Sequence, residues 1–391
     1  MPAHRELSVL TRMTEQFGVT ADGVWSAPGR INLIGEHTDY NDGLALPIAL
    51  PRRTVAAVRR RPDGLLRMAS TGVPGEPVTV LLDEVRPGTP GGWAAYVAGV
   101  FWALDRAGYA VSGADVVVSS DVPLGAGMSS SAALECAVGA AISDLEGLDL
   151  LADDTGRAHL AQLCRRAEND IAGAPTGGMD QSAAMLCRPG HALLLDCRDG
   201  ATRLVPFDLA AHGLELLVID TKARHALVDG QYAARRADCT AAARALEVTS
   251  LREVSETDLA GALERLADPV ARRRVRHVVT EIARVPRFVA AFETGDMAEA
   301  GRLMVASHAS LRDDFEVSCP ELELAVEGAL REGALGARMT GGGFGGCAIA
   351  LVPSDRAAAI ADTVTAAFAR ADFVAPQAFR ALASGSARRD T

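Results

Sequence analysis

Residues Asp121–Ala133 read DVPLGAGMSSSAA, and what flanks them decides the fold. The alternating apolar run Ala114–Ser119 ahead of them has the period of a strand. Leu134, Val138, Ile142 and Leu145 behind them have the period of a helix. A strand that passes through a glycine loop into a helix is an α/β unit. Gly125 and Gly127 let the backbone approach a ligand, while Ser129, Ser130 and Ser131 sit where the first free amides of the helix point outward. Successive unpaired N–H groups at the positive end of a helix make an anion site suited to a triphosphate, and serine hydroxyls there can ligate magnesium. A plain N-cap in a turn of small residues is the alternative. Three consecutive serines exceed what one cap requires.

A second dense segment lies upstream at Ala27–Pro47, APGRINLIGEHTDYNDGLALP, which sets Arg30, Asn32, Glu36, His37, Asp39, Asn41 and Asp42 among apolar residues and glycines. A strand-like run over Val24–Ile34 carries the first of these, and Gly35 opens a loop that gathers Glu36, His37 and Asp39. Carboxylates and an imidazole match the vicinal hydroxyls of a sugar. The competing reading is a solvated turn with capping Asp and Asn.

The chain has 391 residues, 49% of them hydrophobic, enough for a large core and about two domains. Thirty-nine basic against 50 acidic residues leave a formal charge of -11, which argues against nucleic acid or an anionic membrane as partner. The opening MPAHRELSVLTRMTEQFG has an amphipathic helical pattern ending at Gly18, not that of a signal peptide, and no apolar run approaches bilayer length. The seven cysteines are scattered and form no CxxC pair, which favours reduced thiols, a cytoplasmic location and no structural zinc. The segment after Ala381, rich in Ser, Ala and Arg, reads as a loose tail. Lys222 is the only lysine, so neither GxxxxGK[ST] nor the strand lysine of protein kinases is present. Nucleotide chemistry here falls to amides, a metal and arginine.

A helical pattern over Thr155–Ile171 buries Leu160, Leu163, Cys164, Ala167 and Ile171, and Glu168 shares that side. An acid on an apolar face needs a partner. Arg165 or Arg166 is one candidate, but both project elsewhere; a magnesium ion, which takes one or two carboxylates with phosphates and water, is the other. Next, AGAPTGGMDQSAAMLC brings Asp180 to the entry of another helix, either as an N-cap or, given the preceding glycines, as a contact to the reacting group. The last cluster, ARMTGGGFGGCAIALV, satisfies GxGxxG at Gly341, Gly343 and Gly346. CAIALV after it reads as a strand where a dinucleotide fold needs a helix, so a glycine hinge beside the phosphates, or a tight turn, is the better reading.

GRINLIGEHTDYNDGLALP, VPLGAGMSSSAA and ARMTGGGFGGCAIAL resemble, in this order, the signature, phosphate loop and third motif of the galactokinase family, within the superfamily of homoserine, mevalonate and phosphomevalonate kinases. The resemblance implies a two-domain α/β fold (α+β, mixed sheets with helices), an N-terminal domain over 1–200, a C-terminal domain over 201–391 and a site in the cleft between them. It implies transfer of phosphate from ATP, with magnesium, to the C1 hydroxyl of α-D-galactose by a cytoplasmic monomer or weak homo-oligomer. By the family pattern Asp180 is the base and Arg30 stabilises the transferring phosphoryl and keeps that aspartate ionised. Glu36, His37, Thr38, Asp39, Gly177 and Tyr232 hold the sugar. Gly125, Ala126, Gly127, Met128, Ser129, Ser130 and Ser131 cradle the nucleotide, Ser70 adds a further contact, and Ser131 with Glu168 binds the metal. Met128 stands where the family pattern has leucine, a swap of similar volume. Two other readings stand beside this one: a kinase for arabinose, galactosamine or N-acetylgalactosamine, which would share every phosphate motif, and a galactose sensor without catalysis, a type that departs from the pattern within the phosphate loop. The intact SSSAA with Arg30, Glu168 and Asp180 speaks against the sensor.

Overall fold

The computed structural model describes residues 2–223 and 228–391. In chain order the strands are β1 (Gly23–Asn32), β2 (Leu44–Ala45), β3 (Pro47–Arg61), β4 (Leu65–Ser70), β5 (Val78–Leu81), β6 (Gly113–Ser120), β7 (His191–Asp196), β8 (Thr202–Pro206), β9 (Leu214–Asp220), β10 (Gly336–Thr340), β11 (Cys347–Pro353), β12 (Gln377–Ala381) and β13 (Arg388–Arg389). The helices are α1 (Pro2–Phe17), α2 (Trp93–Arg106), α3 (Ser130–Leu145), α4 (Asp154–Ala167), α5 (Met179–Leu186), α6 (Val228–Ala245), α7 (Leu259–Arg265), α8 (Pro269–Thr294), α9 (Met297–Asp313), α10 (Pro320–Arg331) and α11 (Ala357–Arg370).

A six-stranded sheet in the order β13-β1-β3-β6-β4-β5 is antiparallel except where β4 runs parallel to β6. Every residue of β1 is buried, because the sheet is covered on both faces. Trp25 and Ala27 join the core under α2, α3, α4 and α5, while Val24 faces Val9 and Met13 of α1, the alternation a strand imposes. The second half is built on an antiparallel sheet, β10-β11-β9-β12, backed by α6, α8, α10 and α11. A third core joins the two, setting Ile31, Leu33 and Ile48 against Val218, Ile349, Val285 and Phe288. The ends of β1 and β10 meet where the Thr340 hydroxyl bonds the backbone N–H and carbonyl of Asn32, at 3.1 and 2.9 Å, and the loops that line the cavity described below leave from those ends.

The expected strands, the helix ending before Gly18 and the strand after the last glycine cluster are all formed. The helix expected over Thr155–Ile171 ends as α at Ala167, and Glu168–Ala172 continues as a π turn, a departure that re-aims side chains where helices meet functional sites. The tail after Ala381 is not loose. Arg388 and Arg389 pair with Ser26 and Trp25, and buried Arg53 donates to the carbonyls of Gly385 and Ser386 at 2.8 Å each. Its polar composition hid backbone acceptors that a buried arginine requires.

Gly301 of α9 lies so close to the start of β10 that a Cβ there would stand 2.2 Å from the Leu335 carbonyl oxygen. That contact sets the height of β10 and of the glycine cluster after it. Gly301→Ala is expected to lower stability by about 2 kcal/mol, the scale of an overpacked contact between backbones, read as a reduced urea midpoint at unchanged slope; an unchanged midpoint contradicts the account.

Candidate active site

Arg30 reaches the site because β3 takes up extra residues around Pro51: Pro28 pairs with Arg53 but Arg30 pairs with Ala49. Bulges re-aim side chains in this way, and proline is at home in them. The Arg30 guanidinium places Nε and Nη2 at 2.8 and 2.7 Å from Oδ1 of Asp180, and Nη1 donates to the Gly127 carbonyl at 2.5 Å. Its backbone N–H also holds the Met128 carbonyl, at 3.1 Å. One residue thus ties the carboxylate at the start of α5 to the loop before α3. Burial alone pulls the Arg30 pKa down, but Asp180, Glu36 and Asp39 outweigh it and hold the guanidinium charged.

The cavity around this pair measures about 440 Å³ and is lined from both halves of the chain, with Arg30, Glu36, His37, Asp39 and Asp180 on one side and Tyr232, Gly341 and Gly342 on the other. Gly127, Ser129 and Ser131 form the wall contributed by the loop before α3, and Glu168 and Thr176 also line the cavity. His37 packs on Tyr232 and Phe315, and its Nδ1 lies 2.9 Å from the Tyr40 hydroxyl. Burial and the neighbouring His277 push it down to about 3, so the imidazole is neutral. Burial, with Asp180 and Glu36 nearby, pushes Asp39 up to about 6. Gly177 abuts this aspartate: a Cβ there would stand 2.3 Å from Oδ2 of Asp39.

Several expected residues are placed differently. Thr38 is fully buried and its hydroxyl lies 2.7 Å from the Leu44 carbonyl and 2.9 Å from that of Gly35, so it shapes the loop and offers the pocket nothing. Ser70 lies on a separate groove beside Leu7 and Arg12, with its hydroxyl oxygen accepting from Gly72 N–H. Met128 points into the core. Gly125 and Ala126 line a neighbouring groove with Asp121 and Lys222, and Ser130 opens α3 away from the main wall.

Residues the sequence reading missed hold the others in place. Oε1 of Glu36 accepts from the Thr340 hydroxyl at 3.0 Å and the Gly341 N–H at 2.9 Å, with buried Arg338 at 3.4 Å. Glu281 accepts from the Gly35 N–H at 3.0 Å and the Ser307 hydroxyl at 2.7 Å, and His277 Nε2 lies 3.1 Å from the Glu36 carbonyl. Under the metal candidate, Gln181 donates to Glu135 at 2.9 Å and to Glu168 at 2.5 Å. The signal for Glu135 was an acid inside the apolar run AALECAVGA. The others become visible only once distant strands are brought together.

A buried carboxylate with serine and threonine hydroxyls beside it is a hard oxygen donor set, the kind magnesium takes. Glu168 has Ser131 and Thr176 as such neighbours, and burial, together with Asp180, pushes it up to about 7. Among the described residues it forms no ion pair with a basic side chain, so a cation fits there.

Three family models match the chain: the galactokinase galactose-binding signature over residues 12–60, the N-terminal domain of GHMP kinases over 95–188 and their C-terminal domain over 288–370. With the phosphate loop and the two joined sheets, they define a GHMP-type, ATP-dependent sugar kinase. A galactokinase of Streptomyces coelicolor is 53% identical over 97% of each chain, and human galactokinase is 45% identical over 88% of this chain and 87% of its own. The crystal structure of Lactococcus lactis galactokinase complexed with galactose superposes with a TM-score of 0.92 at 33% identity, covering 98% of this chain and 99% of that one. Methanococcus jannaschii mevalonate kinase, at 17% identity and a TM-score of 0.63 over 93% of this chain and 98% of that one, shares the fold. The chain belongs to the galactokinase family.

Burial raises the Glu281 pKa, but Arg284, Arg338, His277 and the Ser307 hydroxyl outweigh it and bring the group down to about 2. A depressed folded-state value contributes stability present above the ordinary carboxylate range and lost as pH falls through the folded value. The native chain should therefore lose stability between about pH 4.5 and 2 more steeply than Glu281→Ala, which starts lower by roughly 3 kcal/mol at pH 7 because Arg284 loses its partner. Chemical denaturation across pH reads both; parallel profiles contradict the assignment.

Proposed function

We propose that this cavity transfers the γ-phosphoryl group of ATP to the C1 hydroxyl of α-D-galactose, giving galactose 1-phosphate and ADP. The observation that carries the reading is that one guanidinium, on Arg30, touches both the carboxylate of Asp180 and the phosphate loop, between a loop of sugar-type ligands and a helix N-terminus. The sugar lies against Glu36, His37, Asp39 and Tyr232, with its C1 oxygen between Asp180 and the loop. Asp180 takes the proton of that hydroxyl as the oxygen bonds to phosphorus and the bond to ADP breaks. Such transfer is loose, so positioning and charge neutralisation matter most. Arg30, the amides at the start of α3 and the Gly127–Ser131 wall neutralise the phosphates. Glu168 and Ser131 hold magnesium, which when bound offsets the charge of the phosphate oxygens. Neutral His37 serves as a hydrogen-bonding wall for the sugar and carries no charge into the pocket.

We place the division of the chain near residue 200, between a six-stranded sheet that, apart from β13, ends at Ser120 and a four-stranded sheet that begins at Leu214, with the small sheet β2-β7-β8 pairing strands on either side of that point. Unpaired thiols throughout suit the reducing cytoplasm.

ADP release measured over galactose, arabinose, galactosamine and N-acetylgalactosamine tests the reading: galactose is expected to give the highest kcat/KM, and preference for another sugar, or no ADP at all, overturns it. Asp180→Asn is expected to keep galactose affinity within about tenfold while turnover falls at least about a hundredfold, the scale of a positioned base; near-normal turnover contradicts that role. Because Asp39 sits at about 6, galactose binding should strengthen as pH rises through that value, where the carboxylate becomes a full acceptor. Asp39→Asn should bind about tenfold more weakly and lose that pH dependence, as titration calorimetry from pH 5 to 8 would show.

A further inference from the structure

Ser129 stands apart within the phosphate loop. It is the N-cap residue of α3, yet its backbone is left-handed at φ 56 and ψ 52, and its side chain makes no cap bond. Serine, unlike glycine or asparagine, has little preference for that region, and strain of this kind persists where the surroundings impose it. The hydroxyl donates instead to Oδ2 of Asp180, while Arg30 occupies Oδ1. The loop backbone beside it is pinned: Arg30 holds the carbonyls of Gly127 and Met128, and Gly341 lies so close to Gly127 that a Cβ on it would stand 2.8 Å from the Gly127 carbonyl oxygen. What remains free at Ser129 is the direction of its hydroxyl.

A serine hydroxyl carries one proton and so donates to one acceptor at a time. Ser129 lines the cavity between Gly127 and Ser131, where the charged oxygens of a phosphate compete for that proton with a carboxylate whose charge Arg30 already offsets. The lone pair it occupies on Oδ2 faces the phosphate loop, the side on which the C1 oxygen must lie if it is to stand between base and phosphorus.

We propose that Ser129 is a positioning residue that covers the base until nucleotide arrives: its hydroxyl holds Oδ2 of Asp180 in the empty site, turns to a phosphate oxygen when the triphosphate fills the loop, and so frees that lone pair for the sugar's C1 hydroxyl. The inference rests on the kinase reading above and makes nucleotide and sugar binding cooperative, with the same factor in each direction. No bond is made or broken in the exchange; one hydrogen bond moves from carboxylate to phosphate.

The test is a thermodynamic cycle by titration calorimetry, galactose binding with and without a non-hydrolysable ATP analogue and magnesium. The native chain should bind galactose about fivefold or more tightly with the analogue present, within the usual range of coupled sites. In Ser129→Ala the ratio should fall below about twofold, because galactose binding without nucleotide improves. Ser129→Gly should behave alike while relaxing the left-handed backbone, so it keeps the test open if the alanine variant folds poorly. With 1-deoxygalactose, which lacks the hydroxyl in question, even the native chain should show a ratio below twofold, an outcome that a merely structural serine would not produce. Equal coupling in native and both variants, with galactose still phosphorylated, overturns the inference alone; absence of galactose phosphorylation by the native chain takes down the kinase reading and the inference together.

Discussion

The contact between the Arg30 guanidinium and the Asp180 carboxylate is the constraint on which the rest of the site depends. A guanidinium cannot be discharged at physiological pH, and its planar fork fixes direction as well as distance. Here one edge holds the carboxylate at the head of α5 and another nitrogen holds the loop at the head of α3. The acidic surroundings then work in favour of the arrangement. Asp39 and Glu36 support the charge of Arg30, and Arg30 in turn permits carboxylates to crowd a pocket where burial alone would discourage them. In a chain with one lysine, it is an arginine at a bulged strand position that lies against the loop before α3.

A second set of buried polar contacts explains why the loop after Gly35 is so polar and yet so well buried. Glu36 spans to Thr340 and Gly341, and Glu281 reaches back to the amide of Gly35. The loop from the first half is therefore held by backbone and side-chain donors of the second, and the glycine cluster is placed over the cavity by the same bonds. Burying such groups is costly unless each finds its partners. Most do, and the cost is the reason these residues act as rigid walls.

The elements were largely legible in the sequence because their periods are strong: β6 and α3 around the phosphate loop, α1 up to Gly18, β11 after the glycines. Asp180, Arg30, Glu36, His37, Asp39, Tyr232 and Glu168 do meet at one cavity. The errors have a common origin. The expectation for Thr38 rests on the family pattern and that for the tail after Ala381 on its polarity, and neither source tells whether a buried acceptor or donor waits for the group. Glu281, Arg338 and Thr340 were missed because the partner each one holds in the first half, Gly35, Leu33 or Asn32, lies hundreds of residues away, and no local pattern records such pairing. The π turn at Glu168 was read as plain helix, since a single wide turn leaves the apolar spacing nearly unchanged.

A crystal structure with galactose and a non-hydrolysable ATP analogue bound together measures the claim that matters most, the placement of the base. The account predicts one Asp180 carboxylate oxygen about 3 Å from the C1 oxygen, with Arg30 still bound to that carboxylate and the terminal phosphate on the far side of the same oxygen. A C1 oxygen more than about 5 Å from Asp180, with another hydroxyl turned toward the phosphate, would contradict it.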